Sequence, residues 1–204
     1  MRDHLVFYLN GRRHAVSGPA AGLTLSEYLR CGEKLVGTKL ACSEGDCGAC
    51  TVLVGEPDTD ETRFAYRTID SCIAFVYQLD RRHIVTVEGV ADPPVRPGAP
   101  PTLSTVQQAM VDCHGSQCGF CTPGFVMAIH GLIEAEGADG PIDEETARIG
   151  LSGNLCRCTG YAQILDAVSR CTPANTTSIA ERYDAAPMLA DFARLGDEPV
   201  HVNA

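Results

Sequence analysis

The chain has 204 residues, 45% hydrophobic and 21% charged, which suits one or two ordinary globular domains. Its formal net charge of −10 speaks against a nucleic-acid partner, which asks for a basic face, and there is no apolar run of about 18 residues to span a membrane. Eleven cysteines are an odd number in a chain whose Met1-Arg2-Asp3 start shows no export signal. A disulfide framework therefore fits badly, and metal binding in a reducing cytoplasm is expected.

In chain order, residues 5–9 read as a strand, Gly11 as a turn, and Ala15-Val16 as the start of a return strand. Thr24 to Leu29 reads as a short helix with Thr24 as N-cap and Glu27 closing a capping box. Residues 51–54 and 84–87 are strand-like. The stretch 71–79 around Cys72 is ambiguous and leans towards helix. Residues 91–101 hold five prolines, which neither a helix nor a central strand accepts, so a linker is expected there.

Beyond it the apolar period becomes helical. Ser104 can cap a helix with Val106, Ala109, Met110 and Cys113 on one face, ended by Gly115. Thr122 can cap a second, with Pro123 at its first position, Phe125, Val126, Ile129, Leu132 and Ile133 inward, and Gly137 as the stop. Asp143 starts a third over residues 146–151, and Thr159 caps a fourth with Ile164, Leu165 and Val168 inward. Four short helices in about 70 residues suggest a small bundle. Residues 184–196 can hold an amphipathic helix with Met188, Leu189, Phe192 and Leu195 on one face. It reads either as a frayed tail or as a helix that packs on a partner.

The cysteines fall into two sets. Cys42-x4-Cys47-x2-Cys50, with Cys72 after 21 intervening residues, has the plant-type ferredoxin spacing. A [2Fe–2S] rhomb takes two thiolates on each iron, so a tight loop must wrap three of them around it. Gly45 and Gly48 suit such a loop and let backbone N–H groups approach the sulfurs. The second set is Cys118-x2-Cys121 and, 34 residues later, Cys156-x-Cys158. Both pairs precede expected helix starts, whose partial positive charge favours an anionic cluster. A structural zinc site competes for this second set, although a Cys-x-Cys pair is unusual there. Cys31, Cys113 and Cys171 are assigned to no metal; Cys113 lies on an apolar helix face. The plain readings of the neighbours are a helix-end histidine for His114, a solvated charge for Arg157, solvent-facing acids for Glu44 and Asp46, and a surface glutamine for Gln117. There is no nucleotide-binding glycine loop and no hydrolase motif. The chain reads as a carrier of electrons with no substrate chemistry of its own.

Three blocks, residues 37–52, 114–124 and 153–161, closely resemble the iron–sulfur part of the xanthine dehydrogenase and aldehyde oxidase family, the molybdenum hydroxylases. The first carries Cys42-Ser43-Glu44-Gly45-Asp46-Cys47-Gly48-Ala49-Cys50, the second Gln117-Cys118-Gly119-Phe120-Cys121, and the third Cys156-Arg157-Cys158. The resemblance covers residues 4–172 and implies an α+β chain. Residues 1–90 would be a β-grasp, plant-type ferredoxin-like domain and 91–101 the linker. Residues 102–172 would be a four-helix [2Fe–2S]-binding domain; residues 173–204, beyond the resemblance, are expected from their amphipathic stripe to be a tail packing on a partner subunit. The resemblance also implies two [2Fe–2S] clusters here, and molybdopterin with molybdenum and FAD on partner subunits, in a heterotrimer or its dimer. Gln117 would hydrogen-bond the molybdopterin, Cys158 would lie close to it while ligating iron, and Glu44, Gly45 and Asp46 would face the flavin side.

Within the family, residues 106–110 and 86–89 lean towards bacterial xanthine dehydrogenase, with hypoxanthine or xanthine as substrate. The alternatives are the same role in an aldehyde, nicotinate or other N-heterocycle, or carbon monoxide dehydrogenase. A free-standing two-cluster ferredoxin and a zinc-stabilised interaction module are the readings from other functional classes.

Overall fold

The computed structural model describes residues 1–92, 96, 98–99, 101–136, 142–196 and 198–201. Strand β1, Leu5–Leu9, sends Leu5, Phe7 and Leu9 to one buried face and Val6 to the other. Asn10 and Gly11, both at positive φ, turn it into β2, Arg12–Val16. This two-residue hairpin starts the return strand at Arg12, so Ala15-Val16 end it where the sequence had them begin it. Strands β3 (Thr51–Pro57), β4 (Phe64–Asp70) and β5 (His83–Val85) complete a five-stranded sheet in the order β2-β1-β5-β3-β4. β1 and β5 run parallel and the other neighbours antiparallel.

β4 was not anticipated. It is an edge strand of mixed polarity, held by its seven-residue register with β3. β5 stops at Val85, short of the expected residue 87, because the Asn10 side chain takes the Thr86 N–H at 2.9 Å. No helix forms around Cys72. Residues 71–73 are a turn, and only Val76–Leu79 coil, as a single 3-10 turn. The backbone there is committed to the entrance of helix α1: Leu25 N–H bonds to Ala74 C=O and Val76 N–H to Leu23 C=O. α1, Leu25–Glu27 continued by a wider turn over Tyr28–Gly32, has the expected capping box of Thr24 and Glu27.

Helices α2 (Thr105–Asp112), α3 (Thr122–Glu136), α4 (Glu144–Gly150) and α5 (Ala162–Ser169) form a bundle in which each touches two others. Ser104 and Asp143 cap α2 and α4 as expected. The left-handed residue that ends α2 is His114, φ 55°, and not Gly115. Its N–H returns to Val111 C=O and that of Gly115 to Met110 C=O, a two-bond helix stop. α3 starts earlier than expected: the Cys121 carbonyl accepts the Phe125 N–H, so Thr122 lies inside the helix. Its expected stop, Gly137, lies outside the described residues. Met127 and Ala128 are buried along with the expected face. Over residues 125–129 α3 is apolar all round because the sheet covers one side and the bundle the others.

Leu53, Val85 and Val90 join the core of the bundle, so the sheet and the helices share one apolar interior. Most of the proline-rich segment falls outside the described residues, but Asp92 and Thr102 at its ends exchange two backbone hydrogen bonds. The tail forms α6 (Ile179–Arg182) and α7 (Ala185–Arg194). The apolar face of α7, expected to be free for a partner, lies on its own sheet: Met188, Leu189 and Phe192 pack with Val6 and Phe64. No described helix is long and apolar enough to cross a membrane.

Candidate metal centres

The first cysteine loop winds through alternating backbone hands. Ser43, Gly45 and Gly48 all have positive φ, a conformation that turns successive N–H groups towards one side. The donors converge on Cys42. The N–H groups of Glu44 and Asp46, with the Cys47 thiol, pull its pKa down to about 6. Cys50 is buried, which pushes its thiol up to about 12, and Cys72 is its bonded neighbour. The four thiols thus stand as an outer pair, Cys42 with Cys47, and an inner pair, Cys50 with Cys72. Glu44 and Asp46 are exposed, as read from the sequence. Cys72 is carried next to Cys50 by Ser71, whose hydroxyl donates to Cys50 C=O at 2.7 Å.

The second set is drawn from two helix ends and also comes in twos. Cys118 is paired with Cys158 and Cys121 with Cys156. Cys118 and Cys158 are exposed, Cys121 is half-buried and Cys156 buried. Burial raises the Cys121 thiol to about 12. The Phe120 N–H, followed by the Cys158 thiol, lowers Cys118, which in turn raises Cys158. Burial opposes ionisation of Cys156, but the Thr159 hydroxyl and N–H, at 3.1 and 3.5 Å from its Sγ, outweigh it and lower the pKa. Thr159 therefore serves the sulfur and does not cap α5. That helix opens at Ala162 after Tyr161, whose φ is 72°. Tyr161 Oη accepts the Cys156 N–H at 2.9 Å.

Among the described residues no three His, Cys, Asp or Glu side chains converge on one ion position. Thiols in twos, with backbone donors on the outer sulfurs, fit a rhomb that takes two thiolates on each iron. Cys113 and Cys171 are buried in the bundle core, and Cys31 is exposed at the far end of α1.

The two sets meet. Leu155, next to Cys156, donates its N–H to Cys47 C=O at 3.0 Å. Asn154, buried, donates its amide to Gly48 C=O at 2.8 Å and to Thr51 Oγ1 at 3.1 Å. Two glycines allow the approach. A Cβ on Gly124 would lie 2.1 Å from Gly48 O, and one on Gly48 would lie 2.4 Å from the Asn154 amide. The sequence reading gave no role to Asn154 or Tyr161 and made Thr159 only a helix cap. Their neighbours in space are many residues away or depend on a left-handed turn, and spacing shows neither.

Residues 7–77 match the family described as 2Fe-2S iron-sulfur cluster binding domain, and residues 86–169 match the [2Fe-2S] binding domain family. The chain is 42% identical over 167 residues to a xanthine dehydrogenase of Blastobotrys adeninivorans, and 44% identical over 162 residues to one of Oryza sativa subsp. japonica. It belongs to the two-domain [2Fe–2S] family of the molybdenum hydroxylases. These matches cover 82% and 79% of this chain but only 11% of each relative, so the chain spans about a ninth of the length of those xanthine dehydrogenases.

Among solved structures, a chain of quinoline 2-oxidoreductase from Pseudomonas putida 86 is similar with TM-score 0.65 and 28% identity. The match covers 96% of this chain and 98% of that one. The aldehyde oxidoreductase of Desulfovibrio gigas is similar with TM-score 0.67 and 29% identity, over 91% of this chain and 18% of that one. The chain therefore has two [2Fe–2S]-binding domains, a mixed-sheet ferredoxin-like one followed by a helical one. Gln117 is exposed beside Cys118, at the same open end as Cys158.

Proposed function

We propose that this chain is the electron-transfer subunit of a molybdenum hydroxylase. Cys42, Cys47, Cys50 and Cys72 hold one [2Fe–2S] cluster, and Cys118, Cys121, Cys156 and Cys158 the other. Bound there, the clusters supply one-electron carriage between a molybdenum cofactor and FAD on partner subunits, in a heterotrimer or its dimer. The observation that carries this reading is the 3.0 Å bond from Leu155 N–H to Cys47 C=O. It joins a ligand of one set to the neighbour of a ligand of the other through covalent bonds and a single hydrogen bond. Asn154 fixes that junction, and the shared apolar core keeps it from opening. Gln117 offers an exposed amide to the molybdopterin, and Cys158 stands at the same end. Glu44, Gly45 and Asp46 face the flavin.

The substrate we assign is a purine, as in xanthine dehydrogenase, supported by identities above 40% to curated xanthine dehydrogenases. A second reading, oxidation of another N-heterocycle, is favoured by the end-to-end match to a chain of quinoline 2-oxidoreductase. The test is an anaerobic visible spectrum of the purified complex before and after adding hypoxanthine or xanthine. Bleaching of the iron–sulfur absorbance by purine is expected. Clusters that bleach with quinoline or an aldehyde and ignore purine would transfer the chain to those enzymes. A preparation without iron would refute the reading as a whole.

A further inference from the structure

Most donors around the two cysteine sets favour negative sulfur. Cys42 faces the N–H groups of Glu44 and Asp46, Cys118 that of Phe120, and Cys156 the hydroxyl and N–H of Thr159. Cys50 differs. Its Sγ lies 3.6 Å from Asp70 Oδ1, close enough for a thiol to donate to the carboxylate. A carboxylate can only accept. Once the sulfur is an iron-bound thiolate, no proton is left between the two groups, and two negative charges face each other.

The arrangement is built into the fold. Asp70 is the last residue of β4, paired with Thr51 at the start of β3, one residue from Cys50. Ser71, fully buried, clamps the turn by donating its hydroxyl and its N–H to Cys50 C=O at 2.7 and 3.4 Å. Ile73 N–H closes the turn on Asp70 C=O at 3.2 Å. The nearest cation on the strand, Arg67, is taken by Glu56, which also holds Arg82 at 3.2 Å. Asp70 is half-buried, so its charge is only partly screened at this range.

We infer that Asp70 sets the potential of the first cluster, its carboxylate beside Cys50 opposing the negative charge that reduction adds. Hydrogen-bond donors to cluster sulfurs and the net charge around them set such potentials. A carboxylate acceptor added beside the sulfur acts in the opposite sense, making the cluster harder to reduce than the same site with a neutral side chain. Asp70 touches a ligand and not the reacting atoms, so it is a positioning residue for charge. This rests on the proposed ligation by Cys50 and Cys72.

The test is a redox titration of the intact complex, followed by electron paramagnetic resonance, for wild type, Asp70→Asn and Asp70→Glu. The signal that survives Cys156→Ser identifies the first site. Asp70→Asn is expected to raise the reduced-to-oxidised ratio of that cluster about tenfold at fixed ambient potential, about 59 mV for one electron. The second cluster should not move, and Asp70→Glu should stay near wild type. A full complement of clusters with an unshifted midpoint in Asp70→Asn would overturn the inference while leaving the ligand assignment intact. So would an Asp70→Glu shift as large as that of Asp70→Asn. Should the Asn variant lose iron, Asp70→Ser provides the same neutral comparison. A wild-type complex with no first-site signal would remove the ligand assignment and this role together.

Discussion

The two cysteine sets solve one chemical problem with different amounts of sequence. The first gathers three of its thiols in a nine-residue loop whose own N–H groups face Cys42. The second gathers two from the entrance of α3 and two from the approach to α5, so its geometry exists only once the bundle has formed. Each ends with a more accessible pair, half-buried in the first set and exposed in the second, and a more buried pair. The contrast shows that a cluster site can be written locally or assembled tertiarily. In the second case the supporting groups, Thr159 and Tyr161, become visible only in the fold.

Removing a ligand from one set breaks the comparison most directly. Cys50→Ser and Cys156→Ser should each halve the iron bound per chain, from about four atoms to about two, as read by iron analysis. Loss of all iron on Cys50→Ser but of half on Cys156→Ser would show that the tertiary site depends on the local one.

A smaller effect is expected at the junction. Asn154→Ala removes the amide that donates to Gly48 C=O and Thr51 Oγ1, while Gly48 C=O keeps the Thr51 hydroxyl and N–H. It should cost about 1 kcal/mol, the usual net contribution of such a bond. Thermal or denaturant unfolding measures it. No change would mean that the two sets are held together by the apolar core alone.

The smallest effect compares the halves by pH. His83 on β5 and His130 on α3 are both buried, and burial lowers each pKa from 6.5 to about 4. In that window the unfolded chain takes up protons that the folded chain refuses, so stability falls as pH drops from 6.5 towards 4 and does not vary with these groups above it. Melting curves between about pH 7.5 and about pH 5 should show this slope, and His83→Gln should flatten its share. His83 Nε2 accepts the Gly11 N–H at 3.2 Å, which leaves Nδ1 to donate to Tyr66 Oη at 2.6 Å. An unchanged slope in His83→Gln would assign the acid sensitivity to α3.

What the sequence made legible follows the same divide. The capping signals at Thr24, Ser104 and Asp143, the strand at residues 5–9 and the loop from Cys42 to Cys50 depend on neighbours a few residues apart, and local physics suffices for them. β4 was missed because an edge strand needs its partner to define it. The stretch around Cys72 was misread because its backbone bonds go to α1. Thr159 was taken for a helix cap because a threonine before a helix usually is one, whereas here Cys156 Sγ competes for it and wins. The apolar stripe on α7 was read correctly as a stripe, but periodicity cannot say whether a sheet of the same chain or of another will cover it. Asn154 stands within a family block, but its partners lie more than 100 residues earlier.

The central claim is that each set holds its own [2Fe–2S] cluster. Electron paramagnetic resonance of the dithionite-reduced protein tests it most directly. Two distinct signals, each integrating to about one spin per chain, are predicted. Of these, the first-site signal should vanish in Cys50→Ser and the second-site signal in Cys156→Ser. A single signal in the wild type, or two signals that both survive either substitution, would contradict it.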